Sequence, residues 1–489
     1  MKHLLFFITL IFFYPLLVCA EVIRIPRDYP TIQKGIDVAQ IGDTVLVAAG
    51  TYTDTHRTRA FQDSIAVCVT LRPGIVVMSE SGPDFTTITN DTAFVIVYID
   101  GVNDTTSVIK GFTIQGDFFG IFCSTISAPL IENNIIRPLT TREGLGIAIG
   151  DSSQPWLRGN VIQDYELGVN IEGASPTFVN NVFDFNDSGL RIESSFRFDS
   201  SFPVVLGNLF RNNHEGFESA TAEAVALVSR NIFVNNERGA VINEGKAVLI
   251  RNIFANNQYA VQALSDAILI NNTMYDDSVG FWAMADTQQI YNTIIWNSTI
   301  PIDTSFFPGA LRVNYSDIQG GWMGMGNIDK EPLFVHPDML NFQLRENSPC
   351  VDAGIDTVLT LHGDTIILTD FHGNKPDIGA LESSWMTSVD TKNTDMIHHF
   401  MLYPNYPNPF NPSTTIQYQI PKRSKVALRI YNIMGQEIRT LVSGYESAGL
   451  KSVIWDGRDN KGNKVTSGIY LYRIQVDNFI KTKKAVLTN

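Results

Sequence analysis

The chain has 489 residues, too many for one compact core, with 36 basic and 50 acidic side chains and a net charge of −14. The charge is unevenly divided: residues 21–400 carry 22 basic and 45 acidic groups, whereas residues 401–489 carry 13 basic and 5 acidic. So acidic a body repels nucleic acid, and repels anionic polysaccharide as well unless Ca²⁺ bridges the two.

At the start, Lys2 precedes an apolar run from Leu4 to Val18, and Val18-Cys19-Ala20 places small residues before Glu21. This predicts a cleaved secretory signal peptide over residues 1–20. A lipid anchor on Cys19 is the rival reading, against which Val18 sits where such processing sites take Gly, Ala or Ser. No later segment is apolar enough to span a membrane, so the expected location is secreted or outer cell surface. Cys68, Cys123 and Cys350 remain, far apart and without metal-like spacing. They are no disulfide framework, and the sequence does not select whether two of them pair.

Residues 30–39 put Ile32, Ile36 and Ala39 on one helical face, and Gly42-Asp43 then turns into a strand at 44–47. A helix there predicts a lid over the first coil of a repeat, whose edge would otherwise stand unpaired.

An asparagine then recurs at Asn134, Asn160, Asn181, Asn208, Asn231, Asn252, Asn272 and Asn292, at intervals of 26, 21, 27, 23, 21, 20 and 20. Apolar pairs follow it, as in Asn134-Ile135-Ile136 and Asn208-Leu209-Phe210. That period is one coil of a parallel β-solenoid. Amides stacked at roughly 4.8 Å can bond to each other and to the turn backbone. A second ladder, Gly120, Gly146, Gly168, Gly189, Gly216, Gly239, Ala260 and Gly280, opens a strand in each coil. The first and third residues after it are mostly apolar, the mark of one buried face, and the Gly itself predicts either a positive φ or a missing Cβ.

The second and fourth residues after each ladder Gly point outward, and the polar ones gather at Asn170, Glu172, Arg191, Glu193 and Glu218. The register predicts Glu172 and Glu193 roughly 5 Å apart, and Glu193 and Glu218 roughly 8 Å apart. Carboxylates so close raise one another's proton affinity, as acid–base chemistry requires; the first separation resembles that of retaining glycosidases and the second lies nearer the inverting range. A lyase needs a base and a cation instead; Arg191 is the candidate, since no lysine occurs between Lys110 and Lys246. The same pattern also describes a solvated, salt-bridged surface. Trp282 either stacks on a sugar ring or packs under a loop. His214 reads as an exposed bend residue, and the long coil around Phe196 to Pro203 predicts a loop that could wall a groove.

Residues 383–400 are polar and aperiodic, a linker. Alternating strands separated by Gly, Asn and Asp turns then predict a small β-sandwich over 401–489.

The string YPTIQKGIDVAQIGDTVLVAAGTY resembles the opening of right-handed parallel β-helix proteins of the pectin-lyase-like superfamily. NYSDIQGG, GNIDKEPLFV, NFQLRENSPCVDAG and KPDIGALE resemble, in order, the closing coils of secreted bacterial members. Residues 403–489 resemble the C-terminal sorting domain of type IX secretion cargo and the related FlgD-like immunoglobulin-type module. These resemblances imply an all-β chain: a right-handed parallel β-helix over 21–382 with an N-terminal capping helix, then a C-terminal sandwich that serves as an address for the type IX secretion machinery. They leave Asp329, Asp352 and Asp377 either as Ca²⁺ ligands or as turn residues, with no cofactor certain. No CxxC, HExxH, phosphate-cradling Gly loop or nucleophile elbow is present. The expectation is a monomer that binds or processes extracellular polysaccharide, a lyase or glycoside hydrolase if an enzyme; a non-catalytic adhesion or structural solenoid is the alternative.

Overall fold

The structure, a computed structural model, describes residues 20–488 apart from 61–62, 141, 194–200, 286–287, 307–310, 362, 364, 384–400, 403–404, 406–409, 411, 421–423, 433–435, 447–448 and 477–478. Residues 1–19 of the expected signal peptide lie outside the described residues, as do most of the expected linker and the part of the long coil from Phe196 to Ser200. The described chain divides into two units at Trp385 and Met386.

The first unit is a parallel β-solenoid of three sheets: A with 13 strands, B and C with 12 each. One coil shows the plan. Trp156–Arg158 joins sheet A, Val161–Gln163 joins B and Leu167–Glu172 joins C. The A and B strands point one residue inward, here Leu157 and Ile162, while the C strand points two, Val169 and Ile171, and all four are fully buried. A three-residue strand with a single inward residue has too little alternation to read, so the B corner was legible through its Asn and the C strand through its Gly and its two inward residues.

The Asn ladder marks the A-to-B corner. The residue before each ladder Asn is left-handed: Asn133, Gly159, Asn180, Gly207, Arg230, Arg251 and Asn271 all have φ between 53° and 66°. The amide then closes the corner. Asn181 donates its backbone N–H and its Nδ2 to Asn208 Oδ1 (2.8 and 2.9 Å) and bonds Leu157 O with Nδ2, and Asn208 repeats this on Asn231. The ladder ends one residue away from the sequence expectation. Thr293, not Asn292, receives the Asn272 N–H, while Asn292 is the left-handed residue beside it and bonds Asn271 and Ile355. A second, unexpected ladder lies five residues on, at the B-to-C corner: Asn186, Asn213, Asn236 and Asn257, ending in Asp277.

The ladder glycines serve close approach rather than backbone conformation. None of Gly120, Gly146, Gly168, Gly189, Gly216, Gly239 and Gly280 has a positive φ, but a Cβ on any of them would fall 2.5–2.6 Å from a carbonyl oxygen of the next coil. Ala260 is the rung that accommodates a Cβ. Behind them Phe183, Phe210, Phe233 and Phe254 stack nearly parallel, with centroids 4.5–4.7 Å apart. Near-native spacing of identical rings along the axis is a steric consequence of identical coils.

At the N-terminal end the strand Val22–Ile25 (β1) pairs with Thr44–Val47 (β2), and the helix Ile32–Val38 (α1) lies over them, its first turn capped by Thr31 Oγ1 accepting the Lys34 N–H. Ile32 and Ile36 enter the solenoid core with Ile23, Ile25 and Val45. The other end departs from expectation. NYSDIQGG does close the parallel ladders, at Asn314 and Asp317–Ile318, with one more parallel bridge from Asp317 to Ile328; the later motifs lie instead in a strap that includes two antiparallel hairpins, Phe334–His336 with Asn341–Leu344 and Thr357–Leu359 with Thr365–Ile367. Their apolar residues pack on the outer rows of sheets A and B: Phe334, Phe342 and Ile378 on Ile253 and Ile294, Val358 and Leu368 on Ile270 and Tyr291. The strap is pinned by Arg251, whose buried guanidinium meets Asp370 (3.0 Å) and Glu382 (3.1 Å).

The carboxylates of that region serve turns. Asp352 accepts the Asn374 and Lys375 N–H groups, Asp377 those of Asp352 and Ser383, and Asp329 that of Gly320. Cys68, Cys123 and Cys350 are buried free thiols.

The second unit holds a three-stranded and a four-stranded antiparallel sheet around one core, with Trp455, Tyr418, Tyr472, Val426 and Leu428 at its centre.

Candidate functional site

The outer face of sheet C carries one straight row of side chains. Tyr98, Phe122, Ala148, Asn170, Arg191, Glu218, Val241, Gln262 and Trp282 are successive register partners, so the row inferred from the Gly ladder exists as a physical line. Gly150, Glu172 and Glu193 form a second row beside it. The parallel register places like positions of consecutive coils side by side, so three coils bring five polar groups together.

Their contacts are specific. Asn170, 6% exposed, donates Nδ2 to Glu172 Oε1 (3.0 Å) and to Glu193 Oε2 (3.3 Å), which holds the two carboxylates side by side. Arg191 Nε stands 3.0 Å from Glu193 Oε1 and 3.1 Å from Glu218 Oε2, with its N–H aimed at neither. Arg191 thus draws Glu193 and Glu218 closer together than the roughly 8 Å expected from backbone spacing. Asn243 completes the set, donating to Glu218 Oε1 at 2.8 Å.

Burial pushes the Glu218 carboxyl up to about 7, helped by the neighbouring Glu215 charge and opposed by Arg191. Burial and the adjacent Glu193 charge raise Glu172 too. A group poised near neutrality can give or take a proton at pH 7.

Sequence reasoning missed a third outward row, the residues before each ladder Gly. Ser188, Glu215, Arg238 and Tyr259 align in it, with Arg238 bonded to Glu215 at 2.9 Å. His214 is no idle bend residue: Nδ1 lies 2.8 Å from Glu237 and Nε2 lies 3.1 Å from Arg238. A cavity of about 480 Å³ opens at this corner, lined by Glu166, Asp187, Asn212 and His214 among others. The signal was available in the fixed offset of these residues from the Gly, but their mixed chemistry hid it.

Aromatic pairs bound the polar stretch. Tyr98 and Phe122 stack at 6.1 Å toward the N-terminal side, beside Phe94 and Phe119. Toward the C-terminal side Trp282 stacks on Tyr259 at 5.1 Å, with Phe306 of the following loop 6.0 Å away, and its Nε1 has no partner. Trp282 is therefore packed against both a strand neighbour and a loop. Among the described residues no cluster of three or more His, Cys, Asp and Glu side chains is arranged to hold a metal ion, and no helix is long and apolar enough to cross a membrane.

Residues 95–257 match the family described as right handed beta helix region, and residues 411–478 match the FlgD Ig-like domain. No curated protein matches the chain. Among solved structures, dimeric latent PorU from Porphyromonas gingivalis is similar over 19% of this chain and 10% of its own, at 24% identity and a TM-score of 0.17. This chain thus spans about a tenth of that protein's length. Full-length tailspike protein 2 from Escherichia coli bacteriophage CAB120 is similar over 96% of this chain and 68% of its own, at 11% identity and a TM-score of 0.36. Alginate lyase from Paenibacillus sp. str. FPU-7 is similar over 55% and 93%, at 13% identity and a TM-score of 0.27.

Proposed function

We propose, for this right-handed β-helix followed by an FlgD Ig-like domain, that the outer face of sheet C is a binding site for extracellular polysaccharide, centred on Asn170, Glu172, Arg191, Glu193 and Glu218. The observation that carries the reading is the flat, ordered polar cluster spanning three coils, flanked along the same row by Phe122 and Trp282. Hydroxyl-rich chains are held by such arrays of carboxylates and amides, with aromatic faces against the C–H surfaces of the rings. Glu218, near neutrality, is the general acid if the chain is also cleaved, with Glu172 or Glu193 as the second carboxyl group.

The apolar N-terminus and the small residues before Glu21 support export, and the resemblance of residues 403–489 to type IX sorting domains supports an address at the outer surface for a monomeric protein. The two Asn ladders favour a second role as a rigid spacer, since every corner from Asn134 to Asn272 is bonded to the next. Detection on intact cells by antibody tests the location.

The test of the site is a glycan array on the full chain. Replacing Glu172, Arg191, Glu193 and Glu218 together by Ala should abolish binding to whatever the wild type retains; unchanged affinity for every retained glycan refutes the assignment. Reducing ends without unsaturated products would identify a hydrolase, and unsaturated products a lyase.

A further inference from the structure

The charge of the site is lopsided. Glu172, Glu193, Glu215, Glu218 and Glu237 gather on the outer face of sheet C and its flanking bend, and the guanidinium groups set among them are Arg191 and Arg238. The charge of Asp151 also reaches Glu172. Carboxylates left in excess of their counter-ions attract cations and repel further anions.

A second feature is independent of charge. Asn170 Oδ1 has no partner although the residue is more than nine-tenths buried, and its Nδ2 is already committed to two carboxylates. Ser188, 4% exposed, has a hydroxyl without a partner in the row alongside, and Gln262 Oε1 is unpartnered further along the same face. A buried acceptor without a donor is costly, so the face has places for donors that the protein itself does not fill. A carboxylate cannot fill the places at the Asn170 and Gln262 oxygens, because it only accepts; an ammonium group offers three N–H donors and a positive charge. The aromatic pairs at Tyr98–Phe122 and Tyr259–Trp282 add ring faces, which attract cations as well as sugar C–H surfaces.

We propose that the polysaccharide held on this face carries free amino groups: it is an amino-sugar polymer in its ammonium form, with an ammonium seated among Asn170, Glu172 and Glu193. This rests on the reading of the face as a polysaccharide site and names the chemistry of its ligand. A uronate chain would set its own carboxylates against Glu172 and Glu193, and like charges so placed act as a barrier to the wrong partner.

The experiment is equilibrium binding of the full chain at pH 6, where the amino groups of the probe are protonated. Three probes of equal length are used: a glucosamine oligomer, its fully N-acetylated form, and an oligogalacturonate. The glucosamine oligomer should bind about tenfold or more tighter than the acetylated one, the oligogalacturonate should not bind, and added salt should weaken the first. A Glu172→Gln, Glu193→Gln double variant should bring the glucosamine oligomer down to the acetylated level. The same charge removed elsewhere, by Glu80→Gln and Asp84→Asn at exposed positions outside sheet C, should leave affinity unchanged. If both double variants lose affinity equally, the attraction is general and the ammonium seat is refuted. Equal or tighter binding of the acetylated or uronate probe, lost in the Glu172, Arg191, Glu193 and Glu218 alanine variant, overturns the amino-sugar assignment and leaves the polysaccharide site standing. Binding of none of the three, nor of any glycan on the array, removes the site and this inference with it.

Discussion

Asn208 sits in mid-ladder with 1% exposure, and its replacement by Ala is a direct test of whether the amides hold the coils together. Oδ1 of Asn208 accepts two bonds from Asn181, the backbone N–H at 2.8 Å and Nδ2 at 2.9 Å. Its own Nδ2 donates to Phe178 O at 3.3 Å and to Asn231 Oδ1 at 3.0 Å. Asn231 Oδ1 keeps the Asn208 backbone N–H in the variant, so its loss is partial. Asn181 is left with its buried backbone N–H stranded, worth about 1–3 kcal/mol, while its Nδ2 loses one of two acceptors and keeps Leu157 O. The expected destabilisation is therefore about 2–4 kcal/mol, one stranded donor plus the partial losses, which is large for a single substitution. Urea unfolding followed by far-UV circular dichroism measures it, and hydrogen exchange should show the amide of Asn181 losing protection first. A loss below about 1 kcal/mol, or unaltered exchange at Asn181, would mean that water or a backbone shift replaces the amide, and the ladder would then be a consequence of stacking rather than a cause.

The second ladder makes a pH prediction. Burial raises Asp277 to about 8, against an ordinary value of 3.8, so the folded chain holds a proton that the unfolded chain releases. Its contribution to stability must then fall as pH rises from about 4 to about 8, and Asp277→Asn, which keeps the acceptor for Asn257, should reduce the pH dependence, to which Glu218, Glu382 and Asp317 also contribute, and stabilise the protein at pH 8. An unchanged slope in urea midpoints between pH 5 and pH 8 would place the titration elsewhere. Phe210, fully buried between Phe183 and Phe233, should cost about 3–5 kcal/mol on change to Ala, read as a lower urea midpoint; Phe210→Leu should cost visibly less. Arg251→Ala strands Glu382 and loosens the strap, so trypsin should cut between residues 319 and 383 in the variant well before it cuts the wild type.

Several levels of this molecule follow from local chemistry and were legible in the chain itself. The recurring Asn and Gly reveal a solenoid because a repeating backbone repeats its demands: a corner that must be closed by an amide, and a strand start where a Cβ would meet the carbonyl oxygen of the next coil. The capping helix is visible for the same reason, since Ile32 and Ile36 share a face. The outward row through Asn170, Arg191 and Glu218 could be named because a fixed distance from the Gly fixes the side on which a residue emerges.

What depends on packing between distant segments was not legible. Residues 328–382 carry motifs of closing coils, yet their apolar groups cover Ile253, Ile294 and Ile270 as a strap, a choice made by exposed rows many coils away. Thr293 displaces Asn292 from the ladder because the left-handed corner falls one residue later than the Asn spacing suggests. The second Asn ladder was hidden by its regularity relative to the first, a constant five residues on. Pairings such as Arg191 between Glu193 and Glu218, and the open acceptor on Asn170, depend on rotamers and burial. The sequence by itself determined the coil, its period and the residues that face outward, because these follow from backbone geometry repeated along one axis. Only the tertiary structure decided which outward residues meet, which remain unpartnered and how the last coil is covered, because those depend on free energies shared between segments that no local pattern records.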